Sequence, residues 1–329
     1  MPQSPVHVTV SGGSGNVTYA LLSRIASGQL LGPDQPVVLR LLDIEPAMAA
    51  LEGVVMELDD GAYPLLHDVV ATSETKVAFD GTSWALMVGS VPRKEGMERG
   101  DLLKINGGIF GPYGAALNEH AASDVRVLVV GNPCNTNCLI MRSHAPDVPD
   151  DRWFAMTRLD ENRAKTQLAK KAGVHHGDVS NIAIWGNHSA TQFPDFAHAR
   201  IGGKPAPDVI TDLAWLQGEF LETIQKRGAA IIAKRGQSSA ASAAHAIVDS
   251  VNSVHTATPG DDWHSLAVVS HGEYGVAEGL MFSYPIRSSG DSWAIVEGIE
   301  HDDWARDKIT ATTAELVEER DEVRELLGS

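Results

Sequence analysis

The 329-residue sequence contains little of what several classes of protein require. Two cysteines, Cys134 and Cys138, are too few for a disulfide framework. The N-terminal residues lack the basic and apolar regions of a signal peptide, and no window approaches the ~18 apolar residues that would span a membrane. We therefore expect a cytoplasmic protein with reduced thiols and no membrane partner.

Positive charge is also scarce. The 26 Lys and Arg residues stand against 43 Asp and Glu residues, which leaves a formal net charge of −17. Such a protein repels the phosphates of nucleic acids and anionic membranes at long range, so we expect no nucleic-acid partner. The segment from Glu300 to Glu325 alone has ten acidic and four basic residues. We interpret it as a helix with a solvated acidic face, remote from any substrate.

The two cysteines are spaced i, i+4, which suits one face of a helix. A zinc site would need two further clustered ligands, which the sequence does not place near them. The pattern favours two buried thiols, and we expect no metal ion.

The first half of the chain alternates short β-branched runs with helical patterns. Strands that alternate with helices predict right-handed βαβ units and a parallel, doubly wound α/β sheet. The predicted strands cover residues 6–10, 37–42, 69–72, 85–88 and 125–130.

The second half has a different pattern. It predicts a helix from about 159, a strand at 182–185 and two long Ala-rich helices at 213–235 and 238–256. Clustered strands and a final helix at 303–327 follow, which indicates an α+β arrangement. We place the domain boundary between 155 and 156, which gives domains of residues 1–155 and 156–329.

A glycine-rich turn, Ser11-Gly12-Gly13-Ser14-Gly15-Asn16, joins the first predicted strand to the first helix. Glycines let backbone N–H groups approach a pyrophosphate, and the helix N-terminus favours its charge. The second strand ends at Asp43, where an acid accepts hydrogen bonds from adenosine ribose hydroxyls and favours NAD over NADP. The alternatives are an ordinary tight turn and a solvated aspartate.

Four further segments combine polar side chains with turn residues. They begin at Val91, Gly131, Thr157 and Trp185 and read VPRKEGMER, GNP, TRLDENR and WGNHS. Each is weak by itself, because a charged loop, a local ion pair or a core histidine would explain it equally well.

Taken together and in this order, these segments resemble the lactate/malate dehydrogenase family, specifically its cytoplasmic-type malate dehydrogenase branch. The resemblance covers nearly the whole chain and includes the segments SGGSG, VPRKEGMERGDLL, VVGNPCNTNCL, TRLDENRAK and WGNHSATQFPD. It implies a Rossmann-type NAD-binding domain followed by an α+β catalytic domain, NAD as cofactor, and a homodimer.

The resemblance also implies roles for individual residues. His188 resembles the general acid/base of the hydride transfer, which suits a side chain that titrates near neutral pH. Asp160 resembles the carboxylate that orients it, and Arg163 the bidentate clamp on the substrate carboxylate. Arg99 resembles the group that polarises the substrate carbonyl, and Asn132 a hydrogen-bond donor to the substrate oxygen.

Arg93 determines the expected substrate. In the family, an arginine at this position selects a second carboxylate, and a substrate with a methyl group there would leave the guanidinium unpaired. The expected substrate pair is malate and oxaloacetate. The alternatives are a dehydrogenase of lactate or another 2-hydroxy acid, and a catalytically silent NAD-binding protein.

Further contacts follow from the resemblance alone. Ser242 is expected to line the substrate site. The expected NAD-contacting residues are Gly12, Gly13, Gly15, Asn16, Val17, Asp43, Asn106, Val130 and Asn132. The chain departs from the family pattern at Thr18, Tyr113, Glu161 and Cys134, and Tyr113 puts one cofactor contact in doubt.

Overall fold

The structure is a computed structural model, and it describes residues 3–91 and 99–328. Within this part of the chain the β-strands form one nine-stranded sheet and two smaller sheets of three and two strands. The strands are β1 Val6–Ser11, β2 Val37–Leu42, β3 Leu66–Thr72, β4 Trp84–Met87, β5 Arg126–Val129, β6 Trp153–Ala155, β7 Val179–Ser180, β8 Ala183–Trp185, β9 Phe193–Asp195, β10 Arg200–Ile201, β11 Lys204–Pro205, β12 His264–Val269, β13 Met281–Ser288 and β14 Trp293–Ile295.

Helices cover the large sheet and fill the second half of the chain. They are α1 Asn16–Ala26, α2 Met48–Asp60, α3 Thr75–Phe79, α4 Arg99–His120, α5 Cys134–Ser143, α6 Arg158–Ala172, α7 Ala206–Val209, α8 Leu213–Trp215, α9 Leu221–Gln225, α10 Arg227–Arg235, α11 Ala241–His255 and α12 Asp303–Glu322. No helix among the described residues combines the length and the apolar character needed to cross a membrane.

The strand order of the large sheet is β14-β13-β12-β6-β5-β4-β1-β2-β3. Strands β1 to β6 pair in parallel in the order 3-2-1-4-5-6, which is that of the doubly wound dinucleotide-binding fold. Strands β12 to β14 pair antiparallel. The predicted fold class, a Rossmann-type parallel sheet followed by a C-terminal α+β part, is therefore confirmed.

The two parts of the sheet meet where β6 lies beside β12. The pairing is antiparallel and consists of one residue pair, Ala155 with Ala267. The sheet is thus continuous past the boundary that the sequence suggests between 155 and 156, and that boundary stays a prediction.

The sequence predicts one continuous Ala-rich helix over 213–235, but the structure has several shorter helical segments there. A π-helical turn at Leu216–Phe220 lies between α8 and α9, and Lys226 leaves helical geometry with φ −97° and ψ 2° before α10 begins. The prediction of an uninterrupted helix over 213–235 is therefore wrong. The second Ala-rich helix, α11, is continuous, with its apolar face buried.

The final helix packs through the residues that the sequence places in register. Ile309, Leu316 and Val323 are buried, and most of the acidic side chains around them are exposed. Glu319 is an exception because it is buried, and Glu315 is half-buried. The expectation of an entirely solvated acidic face is corrected at these two positions.

The two thiols are buried, as the spacing predicts. Cys134 and Cys138 lie on α5, and both are free and inaccessible to solvent. Burial raises the pKa of both thiols above the ordinary range, so they are protonated and unreactive at neutral pH.

Candidate active site

The glycine turn after β1 lies against the segment that follows β4. Gly12 has φ +67°, and a Cβ atom there would lie 2.7 Å from the Cα of Gly89. A Cβ on Gly89 would in turn lie 2.8 Å from the nitrogen of Gly12. Both positions therefore require glycine, and the close approach places two backbone turns at one edge of the parallel sheet.

A cavity of about 760 Å³ opens at this edge. Its size suits a cofactor, and its apolar wall includes Val88, Ile109 and Pro112. Gly15 caps helix α1 without a side-chain hydrogen bond, so the first-turn N–H groups have no side-chain cap. The predicted cofactor-binding residues that line this cavity are Gly12, Gly15, Asn16, Val17 and Asp43.

Asp43 follows β2 and is half-buried at the cavity wall. Its Oδ2 accepts hydrogen bonds from the backbone nitrogen of Ser14 at 2.9 Å and from the Ser14 hydroxyl at 2.7 Å. Its Oδ1 accepts one from the backbone nitrogen of Ile44 at 2.8 Å. The carboxylate is thereby held against the glycine turn.

Four of the predicted cofactor residues do not line this cavity: Asn132, described below, and three others. The N–H of Gly13 donates to the Leu42 carbonyl, and a Cβ there would lie 2.7 Å from the Leu51 side chain. Asn106 is buried and hydrogen-bonds both backbone groups of Val91. Val130 is also buried. These three residues support the walls of the cavity and are not among its lining residues.

Several residues that are not among the predicted cofactor contacts also line the cavity. Tyr113 lies there, and burial and the charge of Asp43 raise the pKa of its phenol. Gln237 and Ser238 line the same cavity, and so does Ser239, whose buried hydroxyl has no hydrogen-bond partner in the described part of the chain. The Gln-Ser-Ser run before α11 is the sequence feature that marks this part of the cavity wall. An unpartnered hydroxyl and a glycine turn at a helix start both fit a polar cofactor such as a dinucleotide.

The proposed proton-transfer residues are brought together. Asp160 lies on α6 and His188 follows β8, and the His188 Nδ1 is in close hydrogen-bond contact with the Asp160 Oδ2. Asp160 is fully buried, while the His188 side chain keeps 15% exposure. The histidine is therefore fixed at one nitrogen and partly open to solvent.

Arg163, one helical turn further along α6, completes the contacts of this carboxylate. Its NH1 donates to the other oxygen of Asp160, Oδ1, at 3.1 Å. Burial opposes ionisation of Asp160, but the charge and hydrogen bond of His188 and the charge of Arg163 outweigh it, and the pKa of the carboxyl falls below its ordinary value. Asp160 is thus ionised at neutral pH, and the Nδ1 of His188 carries the proton of their hydrogen bond.

Glu161, the next residue, is a second buried carboxylate with different partners. Its Oε1 lies 3.0 Å from the Lys165 Nζ and 3.5 Å from the Arg158 Nε, and its Oε2 accepts a hydrogen bond from the Ser265 backbone. Burial opposes its ionisation, yet the charges of Arg158 and Lys165 lower its pKa well below the ordinary range. The Glu161 carboxylate links α6 to β12. It does not contact His188, and it does not line the cavity beside the glycine turn.

The loop that carries His188 is held by α12 and α5. The Asn187 side chain donates to Glu315 at 2.9 Å and to Glu319 at 2.8 Å. The backbone nitrogen of His188 donates to the Asn135 side chain at 3.1 Å. Glu315 and Glu319 are therefore close to the loop that carries His188, and the expectation that the acidic helix is remote from the site is wrong for these two residues.

Gly186 sets the geometry at the start of this loop. It has φ +94°, and a Cβ there would lie 2.1 Å from the side chain of Thr312 on α12. Both the backbone conformation and the contact require glycine at this position.

The remaining predicted substrate residues are placed less completely. Arg93 lies outside the described residues, and so does the side chain of Arg99, whose backbone begins α4. Asn132 is exposed, and its carbonyl accepts a hydrogen bond from Asn106. Ser242 is exposed in the first turn of α11. Their roles stay predictions.

Family models match both parts of the chain. The lactate/malate dehydrogenase NAD binding domain matches residues 6–154, and the lactate/malate dehydrogenase alpha/beta C-terminal domain matches residues 157–327. The two matches together cover almost the entire sequence.

Solved structures agree in fold. Malate dehydrogenase from Naegleria fowleri is 46% identical with a TM-score of 0.95, over 99% of this chain and 100% of that one. Lactate dehydrogenase from Trichomonas vaginalis in complex with NADH and oxamate is 36% identical with a TM-score of 0.93, over 98% of each chain. One of these two relatives is thus named a malate dehydrogenase and the other a lactate dehydrogenase. From these matches and the geometry of the site, the chain belongs to the lactate/malate dehydrogenase family of NAD-dependent oxidoreductases.

Proposed function

We propose that this protein is a malate dehydrogenase that catalyses reversible hydride transfer between (S)-malate and NAD⁺, giving oxaloacetate and NADH. The observation that carries the proposal is the buried Asp160 carboxylate, held between the Arg163 guanidinium and the His188 imidazole. This arrangement provides a proton acceptor beside a fixed positive charge, as oxidation of a hydroxy acid requires.

The proton steps follow from the tautomer. Because Asp160 is ionised and accepts the hydrogen bond of the His188 Nδ1, the lone pair of the imidazole lies on Nε2. That nitrogen takes the hydroxyl proton of malate as the carbon loses its hydride. The imidazolium so formed is stabilised by Asp160, and it returns the proton when oxaloacetate is reduced.

Binding of the cofactor is assigned to the cavity at the sheet edge. The glycine turn and the start of α1 would hold the pyrophosphate, and Asp43 would accept hydrogen bonds from the adenosine ribose. When bound there, NAD⁺ supplies the hydride acceptor.

Substrate binding is assigned to three arginines and Asn132. A guanidinium has five N–H donors, so the contact of Arg163 with Asp160 leaves donors for the carboxylate beside the reacting carbon. Arg99 would polarise the carbonyl, and Arg93 would bind the far carboxylate. Ser242 would line the same site.

The substrate is tested by following NADH oxidation with oxaloacetate, with pyruvate and without a keto acid. We expect rapid turnover with oxaloacetate only. Faster turnover with pyruvate would identify a lactate dehydrogenase instead, and NADH binding without turnover would identify a catalytically silent protein.

The specificity of Arg93 is tested by Arg93→Gln. We expect kcat/KM for oxaloacetate to fall about 100-fold more than that for pyruvate, because the far carboxylate of oxaloacetate loses its partner. Equal losses for both substrates would remove Arg93 from this role.

Assembly and location complete the proposal. We infer a cytoplasmic homodimer from the resemblance to cytoplasmic-type family members. Light scattering of the purified protein should give twice the mass of the 35.1 kDa chain.

A further inference from the structure

A second group of ligand-type side chains lies outside the proposed active site. Asp195 ends β9, His198 follows three residues later, and His301 lies just before α12. One oxygen or nitrogen atom from each side chain lies within 4.8 Å of the other two. The Asp195 Oδ2 is 2.7 Å from the His198 Nδ1 and 3.5 Å from the His301 Nε2.

Two of the three side chains are buried, and the third is partly exposed to solvent. The side chains of Asp195 and His301 are 1% and 5% exposed, and that of His198 is 28% exposed. The His301 Nε2 is buried and has no hydrogen-bond partner among residues 3–91 and 99–328, although it points toward the Asp195 carboxylate. A buried polar nitrogen without a partner costs free energy unless another group satisfies it.

Contacts around the group fix the orientation of its members. The Asp195 Oδ1 accepts a hydrogen bond from the Ala197 backbone at 3.0 Å, which directs Oδ2 to the histidines. The His198 imidazole also hydrogen-bonds the Glu300 backbone, and the His301 ring packs edge-on against Trp185 at 4.7 Å. Outer contacts of this kind orient the ligands in metal sites.

The spacing suits one small divalent cation. Zinc bonds to imidazole nitrogen and carboxylate oxygen of ~2.0–2.1 Å place the ligand atoms of a tetrahedral site ~3.3 Å apart. The observed separations of 2.7 and 3.5 Å bracket that value. Two imidazoles and one carboxylate are a donor set that zinc-type ions accept, and three protein ligands leave a fourth position open.

The open position has room for water or a small ligand. His198 lines a cavity of about 770 Å³, together with Ser180, Asn181 and Arg200. The cavity shares no residue with the one proposed to bind the cofactor.

We propose that Asp195, His198 and His301 bind one zinc-type divalent ion, at a site separate from the Asp160–His188 pair. The ion satisfies the His301 nitrogen and ties the loop after β9 to the start of α12. Its fourth position faces the cavity beside His198.

The proposal is tested by calorimetric titration of ZnCl₂ into chelator-treated protein without an affinity tag. We expect one zinc ion per chain in the wild type, with affinity about 100-fold weaker in both His301→Ala and His198→Ala. Titration with CoCl₂ should give the visible absorption of a low-coordinate cobalt site in the wild type, but not in His301→Ala or His198→Ala.

Two control variants define the location. His245→Ala removes an exposed histidine whose Nε2 lies 3.6 Å from an aspartate, and His188→Asn removes the histidine of the active site. Both should bind zinc like the wild type. Absence of zinc binding to the wild type, or wild-type affinity in either His301→Ala or His198→Ala, would overturn the proposal, as would loss of binding in His188→Asn. Circular dichroism of each variant verifies folding.

Discussion

The Asp160–His188 and Asp195–His198 pairs have similar geometry. They differ in the group that contacts the second oxygen of the carboxylate. In both, a buried aspartate faces the Nδ1 of a histidine through Oδ2. The second oxygen of Asp160 contacts the Arg163 guanidinium, whereas that of Asp195 accepts a backbone N–H. An aspartate–histidine contact by itself therefore does not identify a catalytic pair.

The third partner determines what each pair can do. A fixed arginine beside Asp160 favours the charged carboxylate whether or not His188 carries an extra proton, so the histidine can exchange protons with a substrate. At Asp195, burial opposes ionisation, but the hydrogen bond of His198 and the charges of His198 and His301 hold the pKa of the carboxyl below its ordinary range. The charge of that carboxylate is therefore balanced by the two histidines, or by a cation that the three side chains bind together.

The largest effect should come from His188→Asn. Removal of the general acid/base should lower kcat about 10⁴-fold in the NADH assay while NADH binding, measured by fluorescence, is unchanged. The matched control is His245→Asn, an exposed histidine beside Asp249, which should retain wild-type turnover. Turnover within tenfold of wild type in His188→Asn would remove this histidine from the mechanism.

Asp160→Asn should have the next largest effect. The amide keeps the shape of the carboxylate, but its NH₂ group can donate to the imidazole and hold the wrong tautomer, and Arg163 loses its ionic partner. We expect kcat to fall about 10³-fold with NADH affinity retained. A drop in NADH affinity of the same size would indicate a structural role instead.

Glu161→Gln should lower the stability of the fold, because Glu161 is a buried carboxylate that does not contact His188. This variant leaves the Arg158 and Lys165 charges without their shared carboxylate, so the free energy of unfolding in urea should fall by about 3 kcal/mol at neutral pH. The exposed Asp212→Asn, which removes the partner of Lys171, should leave the free energy of unfolding nearly unchanged.

The same variant should change the response to acid. The folded-state pKa of Glu161 is lowered from an unfolded value of 4.5, so its contribution is complete above that pH and is lost as the pH falls below it. Urea titrations should therefore show a shallower loss of stability below pH 4.5 in Glu161→Gln than in the wild type. Parallel pH profiles would contradict the assignment.

The smallest effect should come from Glu315→Gln. Glu315 accepts hydrogen bonds from Asn187 and Thr191 on either side of His188, so a weaker acceptor should loosen the loop. We expect kcat to fall about fivefold, which corresponds to ~1 kcal/mol, with KM for NADH unchanged. Glu318→Gln, an exposed residue of the same helix, is the matched control and should behave like the wild type.

The sequence predicts the parallel sheet well because its inner strands, such as β4 and β5, are buried on both faces. Runs such as VVLRLL at 37–42 are β-branched and apolar, and β2 covers the same residues. The sequence does not predict the contact between Asp160 and His188, because 28 residues and two strands separate them. Only the family resemblance pairs them.

Two errors have identifiable physical causes. Glu319 lies three residues after Leu316 and four before Val323, which places it on the buried face of α12, but its charge suggests solvation. The hydrogen bond from Asn187 compensates that burial, and no local pattern shows it. The break at Lys226 lies two residues before Gly228, a residue of low helix propensity, so the local sequence itself favours an interruption there.

The narrow junction between β6 and β12 has a consequence for synthesis on the ribosome. All six parallel strands lie within the first 155 residues, so they emerge well before β12 at residue 264. Until then β6 is an open edge, and such edges invite pairing with other chains. Its length of three residues keeps that edge short, which limits intermolecular pairing while translation proceeds.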